Sequence, residues 1–285
     1  MLEDKKLPVT VYEKQRKINL VKLLGQTLTD FFGSHFLALQ LTRRDVSAQY
    51  RQSYFGILWL FITPLASAAI WVFLNSSGTI TITDTGIPYP VYAFSGTLIW
   101  SILLESINAP MASTNAARGI ISKINFPKEA LVLSGIYKLL FNSSFKVLLL
   151  VVFIFAFGVG FHWSLLLLPL VLVMAVVFGT SLGLLITPIG MLYSDVSRLI
   201  SMGLSLLMYV TPVVYGIPKT GVMKTIMTYN PFTPFILTIR DVAVGSSPEF
   251  LNYFIGLTGL GIVLFFIGLV IYRVSIPVIV ERLSA

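Results

Sequence analysis

Cysteine is absent from the 285 residues, so the chain can hold no disulfide, no thiolate-bound metal and no cysteine nucleophile. Histidine is almost as scarce: His35 and His162 stand far apart and belong to no cluster with metal-ligand spacing, so no metal site is expected. Charge is thin, with 11% of residues charged against about a quarter in ordinary soluble domains. Also missing are a G-x-x-x-x-G-K-[ST] loop, a Gly-rich turn opening a helix after a strand, and a Ser-His-Asp arrangement. ATP hydrolysis and nucleophilic catalysis by this chain alone are therefore not expected, nor is a bound cofactor. No short apolar stretch with a cleavage site follows the polar start (residues 1–17), so no signal peptide is expected and the first span must act as its own insertion signal.

Apolar surface is what the chain has in excess: 56% of residues are hydrophobic and the mean hydropathy is +0.87. Such a composition predicts an all-α integral membrane protein. A helix crosses the hydrocarbon core with about 20 apolar residues. Runs at residues 54–74, 91–108, 130–159, 164–192, 199–215 and 251–272 predict six transmembrane helices. Residues 216–249 are too polar and proline-rich for a span, yet carry Phe232, Phe235, Ile236, Leu237 and Ile239, which predicts a re-entrant helical element before the last span. Upstream, Leu20, Leu24, Leu28, Phe31 and Phe32 recur at helical spacing within residues 20–41. That pattern predicts an amphipathic helix, either lying in the membrane interface or packed on the protein. The chain thus divides into an N-terminal segment (1–53) and a transmembrane domain (54–285).

Lys and Arg gather in residues 1–53, in the connections after the second and fourth spans, and in the tail, whereas the outer connections hold only Lys219, Lys224 and Arg240. Basic residues are retained on the cytoplasmic side, so both termini are expected there. The net charge of +8 flanks apolar runs, which suits anionic lipid headgroups better than nucleic acid. Glu105, Lys138 and Lys146 fall inside predicted spans. They form either a structural ion pair with snorkelling lysines or a proton relay. Tyr54, Trp59, Phe61, Tyr209 and Tyr215 either belong to interfacial belts and core or line a path on which sugar rings stack.

Three stretches share the spacing of one family. Arg44-Asp45 through Tyr50-Arg51-Gln52-Ser53 leads into Gly56-Ile57-Leu58-Trp59 and Thr63-Pro64; residues 115–129 read NAARGIISKINFPKE; and Tyr229-Asn230-Pro231-Phe232-Thr233-Pro234 continues to Arg240-Asp241. Together they resemble the type-2 ATP-binding-cassette permeases that export lipid-linked polysaccharides such as O antigen, capsule and teichoic acid. One departure is Ser194-Asp195-Val196, where many members have Arg-Asp-Val.

The resemblance implies a homodimeric channel in the bacterial cytoplasmic (inner) membrane, driven by a separate ATP-binding subunit that carries ATP and Mg. It implies a polyprenyl-linked polysaccharide, most simply O antigen, as cargo. Residues 109–128 would be the coupling segment, with Arg118, Ile121, Lys123, Phe126, Pro127 and Lys128 meeting the ATPase. Arg43, Arg44 and Arg51 would either meet the substrate's pyrophosphate or merely anchor the chain. Tyr54, Trp59, Phe61, Tyr209 and Tyr215 would be channel-lining candidates, and Asn230, Pro231, Pro234 and Arg240 would shape the re-entrant element. Three other readings remain open: a drug or small-lipid exporter of the same class, a proton-coupled secondary transporter, and a non-transporting scaffold for a glycan synthase.

Overall fold

The computed structural model describes residues 20–51, 53–79, 86–121, 123–124 and 126–284. Residues 1–19 and their basic cluster, Gln52, residues 80–85 of the first outer connection, and Ser122 and Asn125 of the coupling segment lie outside the described residues. Helix is the regular structure throughout the described residues. A helix suits hydrocarbon because it satisfies its backbone groups within its own segment.

The helices are α1 (Leu20–Gly33), α2 (His35–Arg51), α3 (Trp59–Ser76), α4 (Tyr89–Ala116), α5 (Arg118–Ile121), α6 (Glu129–Ala156), α7 (Leu168–Leu192), α8 (Ser194–Leu207), α9 (Val222–Tyr229), α10 (Thr233–Val244) and α11 (Leu251–Ser284). Five helical segments among the described residues are long and apolar enough to cross a membrane: Gly56–Ser76, Tyr89–Ala116, Glu129–Ala156, Trp163–Leu192 and Leu251–Arg282.

The expected fifth span, residues 199–215, is not one continuous helix. α8 passes into a 3-10 turn at Met208–Val210 and stops at Thr211, whose backbone is extended (φ −122°, ψ 140°). Pro212 explains the break, since it has no N–H to donate and forces its predecessor out of helical geometry. Fourteen residues rise about 21 Å, short of the roughly 30 Å hydrocarbon core. Six expected spans therefore resolve into five full-length helices and one short one.

The central element is α4, with most of its length buried among neighbours. α6, α3 and α7 pack on it, and α11 packs on α7. Small residues set the close approach of α4 and α7: a Cβ on Gly179 would collide with Ser106. The expected amphipathic helix over residues 20–41 is broken at Ser34 into α1, resting on α6 and α11, and α2, resting on α6. Two apolar cores result. One joins α4, α7 and α10 around Phe94, Leu98, Phe178 and Phe235. The other lies at the opposite end, where Phe31, Ala38, Ile121, Leu131, Tyr272 and Ile276 bring α1, α2, α5, α6 and α11 together.

Candidate functional site

Polar side chains inside so apolar a chain need a physical account, because an ionised group at bilayer depth costs about 2.5–3.5 kcal/mol or more unless paired. At the end of the bundle holding the second core, Arg273 of α11 donates from one guanidinium nitrogen to Asp30 of α1 and to Glu129 of α6, at 2.7 Å each. Glu129 is buried, so its charge depends on this clamp. The same corner holds the expected coupling residues. Residues 109–116 continue the α4 helix, and only α5 forms a separate helical turn. Arg118, Lys123 and Pro127 are exposed, and Phe126 and Lys128 are half-buried. The Lys128 ammonium sits 4.4 Å over the Phe126 ring. Burial lowers the Lys128 pKa, an effect that neighbouring Glu129 opposes. Ile121 differs from its neighbours in the segment in being buried in the second core.

Arg43, Arg44 and Arg51 lie exposed on α2. Arg44 and Arg51, seven residues apart, share one helix face. Arg44 pairs with Asp45 at 2.7 Å, leaving Arg43 and Arg51 as the less encumbered cations.

Deeper in the bundle, the Lys146 ammonium of α6 donates to the Glu105 carboxylate of α4, and to Ser101 Oγ at 3.1 Å. Lys146 is only 5% exposed, whereas the Glu105 side chain remains 42% exposed. Lys138 is not in this ion pair and lines a neighbouring cavity.

The re-entrant turn is held by a different network. α10 is buried between α4, α7 and α11, and its Arg240 is fully enclosed. Arg240 Nη1 donates to the Pro212 carbonyl (3.2 Å), Nη2 to the Val213 carbonyl (2.5 Å) and Nε to Ser95 Oγ (3.2 Å). Its guanidinium carbon lies 3.7 Å over the Tyr92 ring. Asn230 donates to the Val210 carbonyl and Thr211 Oγ1 and accepts from the Phe232 N–H, and Tyr89 donates to the Val214 carbonyl. These contacts satisfy carbonyls that the break after α8 deprives of helical partners. Pro234 starts α10, while Pro231 is exposed in the turn before it. The sequence singled out Arg240 and Asn230 but not Ser95 or Thr211, which look like ordinary small polar residues in apolar runs.

The five aromatic candidates do not form one cluster. Tyr54 and Trp59 are exposed and linked edge-to-face through Phe55. Phe61 packs edge-to-face on Phe145 of α6. The Tyr215 hydroxyl donates to the Tyr209 carbonyl.

Comparison with known proteins matches residues 37–243 to the family described as ABC-2 type transporter. An O-antigen export system permease protein RfbA from Klebsiella pneumoniae is 28% identical over 245 residues, covering 83% of this chain and 91% of that protein. A second protein of that name from the same organism is 27% identical over the same share. One from Myxococcus xanthus is 25% identical over 210 residues, covering 72% of this chain and 79% of that protein.

Proposed function

Since the chain belongs to the ABC-2 type transporter family, we propose that it is the permease subunit of an exporter carrying lipid-linked O antigen across the bacterial inner membrane. The observation that carries this reading is the match to O-antigen export permeases along most of both chains. ATP and Mg bind a separate ATPase subunit, and this chain contributes no catalysis. Both termini face the cytoplasm, consistent with the Lys and Arg asymmetry.

Two copies of the chain form the conduit. A second copy would cover α8, which buries none of its residues within the protomer and presents Leu199, Met202 and Leu206, and would also cover the exposed face of α3. The ATPase docks on exposed Arg118 and Lys123, with Phe126, Pro127 and Lys128 beside them. Its closure tilts α4 and α6, which flank the docking segment, and the Arg273 clamp carries that movement to α1 and α11. Arg43 and Arg51 meet the pyrophosphate of a polyprenyl-linked glycan as it leaves the inner leaflet.

Deleting the gene and locating the lipid-linked polysaccharide tests the reading. Accumulation on the cytoplasmic leaflet with loss of surface glycan is the expected result. Normal surface glycan would reject it in favour of small-lipid or drug efflux.

A further inference from the structure

Two cavities adjoin the Glu105–Lys146 pair. One, of about 430 Å³, reaches from Asp45 and Gln49 on α2 to Lys138 and Asn142 on α6. The other, of about 370 Å³, lies deeper between α3, α4 and α6. Gln49, Leu104 and Glu105 line both, so the two cavities are neighbours within a single protomer.

We propose that the deeper cavity is a binding site for one neutral sugar residue, held between the Trp59 and Trp100 rings and hydrogen-bonded by the Glu105–Lys146 pair. The inference rests on the glycan-export reading and adds to it a site inside each protomer. The wall chemistry selects the ligand class. Trp59 and Trp100 give the cavity apolar aromatic wall, and Thr63, Ser67 and Ser101 add hydroxyls, of which Ser67 already donates to the Thr63 carbonyl and Ser101 to the Leu98 carbonyl. An apolar acyl tail would strip water from the half-exposed Glu105 carboxylate and offer it no donor in return. An anion is disfavoured because Lys146, the sole cation among the described residues that line this cavity, already donates to Glu105. The exposed side of the carboxylate is free to accept from sugar hydroxyls, and the ammonium can turn a third proton toward a sugar oxygen. A proton relay is disfavoured because Glu105 is ion-paired with Lys146, and Asp45, the acid in the adjoining cavity, is ion-paired with Arg44.

The absence of cysteine makes the test direct, since a single introduced thiol is the only one in this chain. Ser67→Cys, or Thr63→Cys if the first variant does not assemble, is placed in the full permease–ATPase complex in lipid nanodiscs. Its labelling by a small methanethiosulfonate is timed against methyl glycosides of the common hexoses and 6-deoxyhexoses, with inorganic phosphate as the anionic probe. At least one glycoside is expected to slow labelling threefold or more, leaving a Ser201→Cys control on α8 unchanged. In the Ser67→Cys background, Glu105→Gln is expected to raise the half-protecting concentration about tenfold, the loss expected for one charge-assisted hydrogen bond. Ser101→Ala provides a milder variant should Glu105→Gln fail to fold, with a rise of a few-fold. No protection by any glycoside, or equal protection by phosphate, overturns the proposal. Should the deletion strain export its glycan normally while glycosides still protect the thiol, the export reading fails and the sugar site stands. Impaired export without protection has the opposite meaning.

Discussion

Buried charges in this protein fall into two kinds, and substitutions should separate them. Arg240 is matched to carbonyls, and no carboxylate lies among its hydrogen-bond partners. Arg240→Met would orphan the Pro212 and Val213 carbonyls, at about 1–3 kcal/mol each, so lower thermal stability in detergent is expected. Arg240→Lys should not restore it, because a point charge cannot reach three acceptors in a fork; a wild-type melting temperature for that variant would refute the account. Glu105 and Lys146 satisfy each other. Glu105→Ala should destabilise by about 1–3 kcal/mol through the stranded ammonium, less than for a fully buried pair because the carboxylate side is open, while Glu105→Leu with Lys146→Met should recover most of the loss. Thermal unfolding of the single and double variants decides between pairing and independent roles. An ion pair between Glu105 and one of the two lysines is among the readings the sequence allows, but which lysine takes part is decided only by packing α6 against α4, which brings Lys146 to it.

Among the elements, the connection between α4 and α6 divides its labour. Arg118→Glu and Lys123→Glu should weaken association with the ATPase and leave the permease's melting temperature unchanged. Ile121→Ala should lower stability, by up to the 2–5 kcal/mol typical of a core truncation. Co-purification of the ATPase alongside thermal unfolding distinguishes the two effects, and normal stability of Ile121→Ala would contradict its core role. The clamp makes a second prediction. Arg273→Gln should raise hydrogen exchange across α1, with Glu129→Gln having more effect than Asp30→Asn because Glu129 is the more buried carboxylate. Local motifs such as Asn230-Pro231 and Thr63-Pro64 could be read directly, since their geometry is set within a few residues. The end of α8 was equally local at Thr211-Pro212, but the unbroken apolar composition of residues 199–215 outweighed it. Ser34 is a weaker case, with no proline to mark the break between α1 and α2.

At the scale of the molecule, five long helices and a short one leave large apolar faces exposed on α3 and α8. If two copies meet there, Met202→Cys should crosslink to its counterpart in membranes with a short bis-methanethiosulfonate, and Val173→Cys, at an exposed position of α7, should not. Uniform crosslinking at both positions, or at neither, would point to lipid as the cover of α8. The all-helical, membrane-embedded class was legible in composition alone, whereas the surface left for a partner was not, because a lipid-facing residue and a subunit-facing residue are equally apolar.

The buried guanidinium of α10 also constrains how the chain is made. Tyr92, Ser95, Pro212 and Val213 all precede Arg240 in the sequence, so a growing polypeptide has emitted every group that receives its charge before the arginine itself leaves the ribosome. A 12-residue helix bearing an unmatched cation has no stable place in lipid of its own. Biogenesis therefore has an order: α4 and the turn after α8 must already be in place as a receptor when α10 arrives, and α10 enters by docking on protein rather than by partitioning into the bilayer.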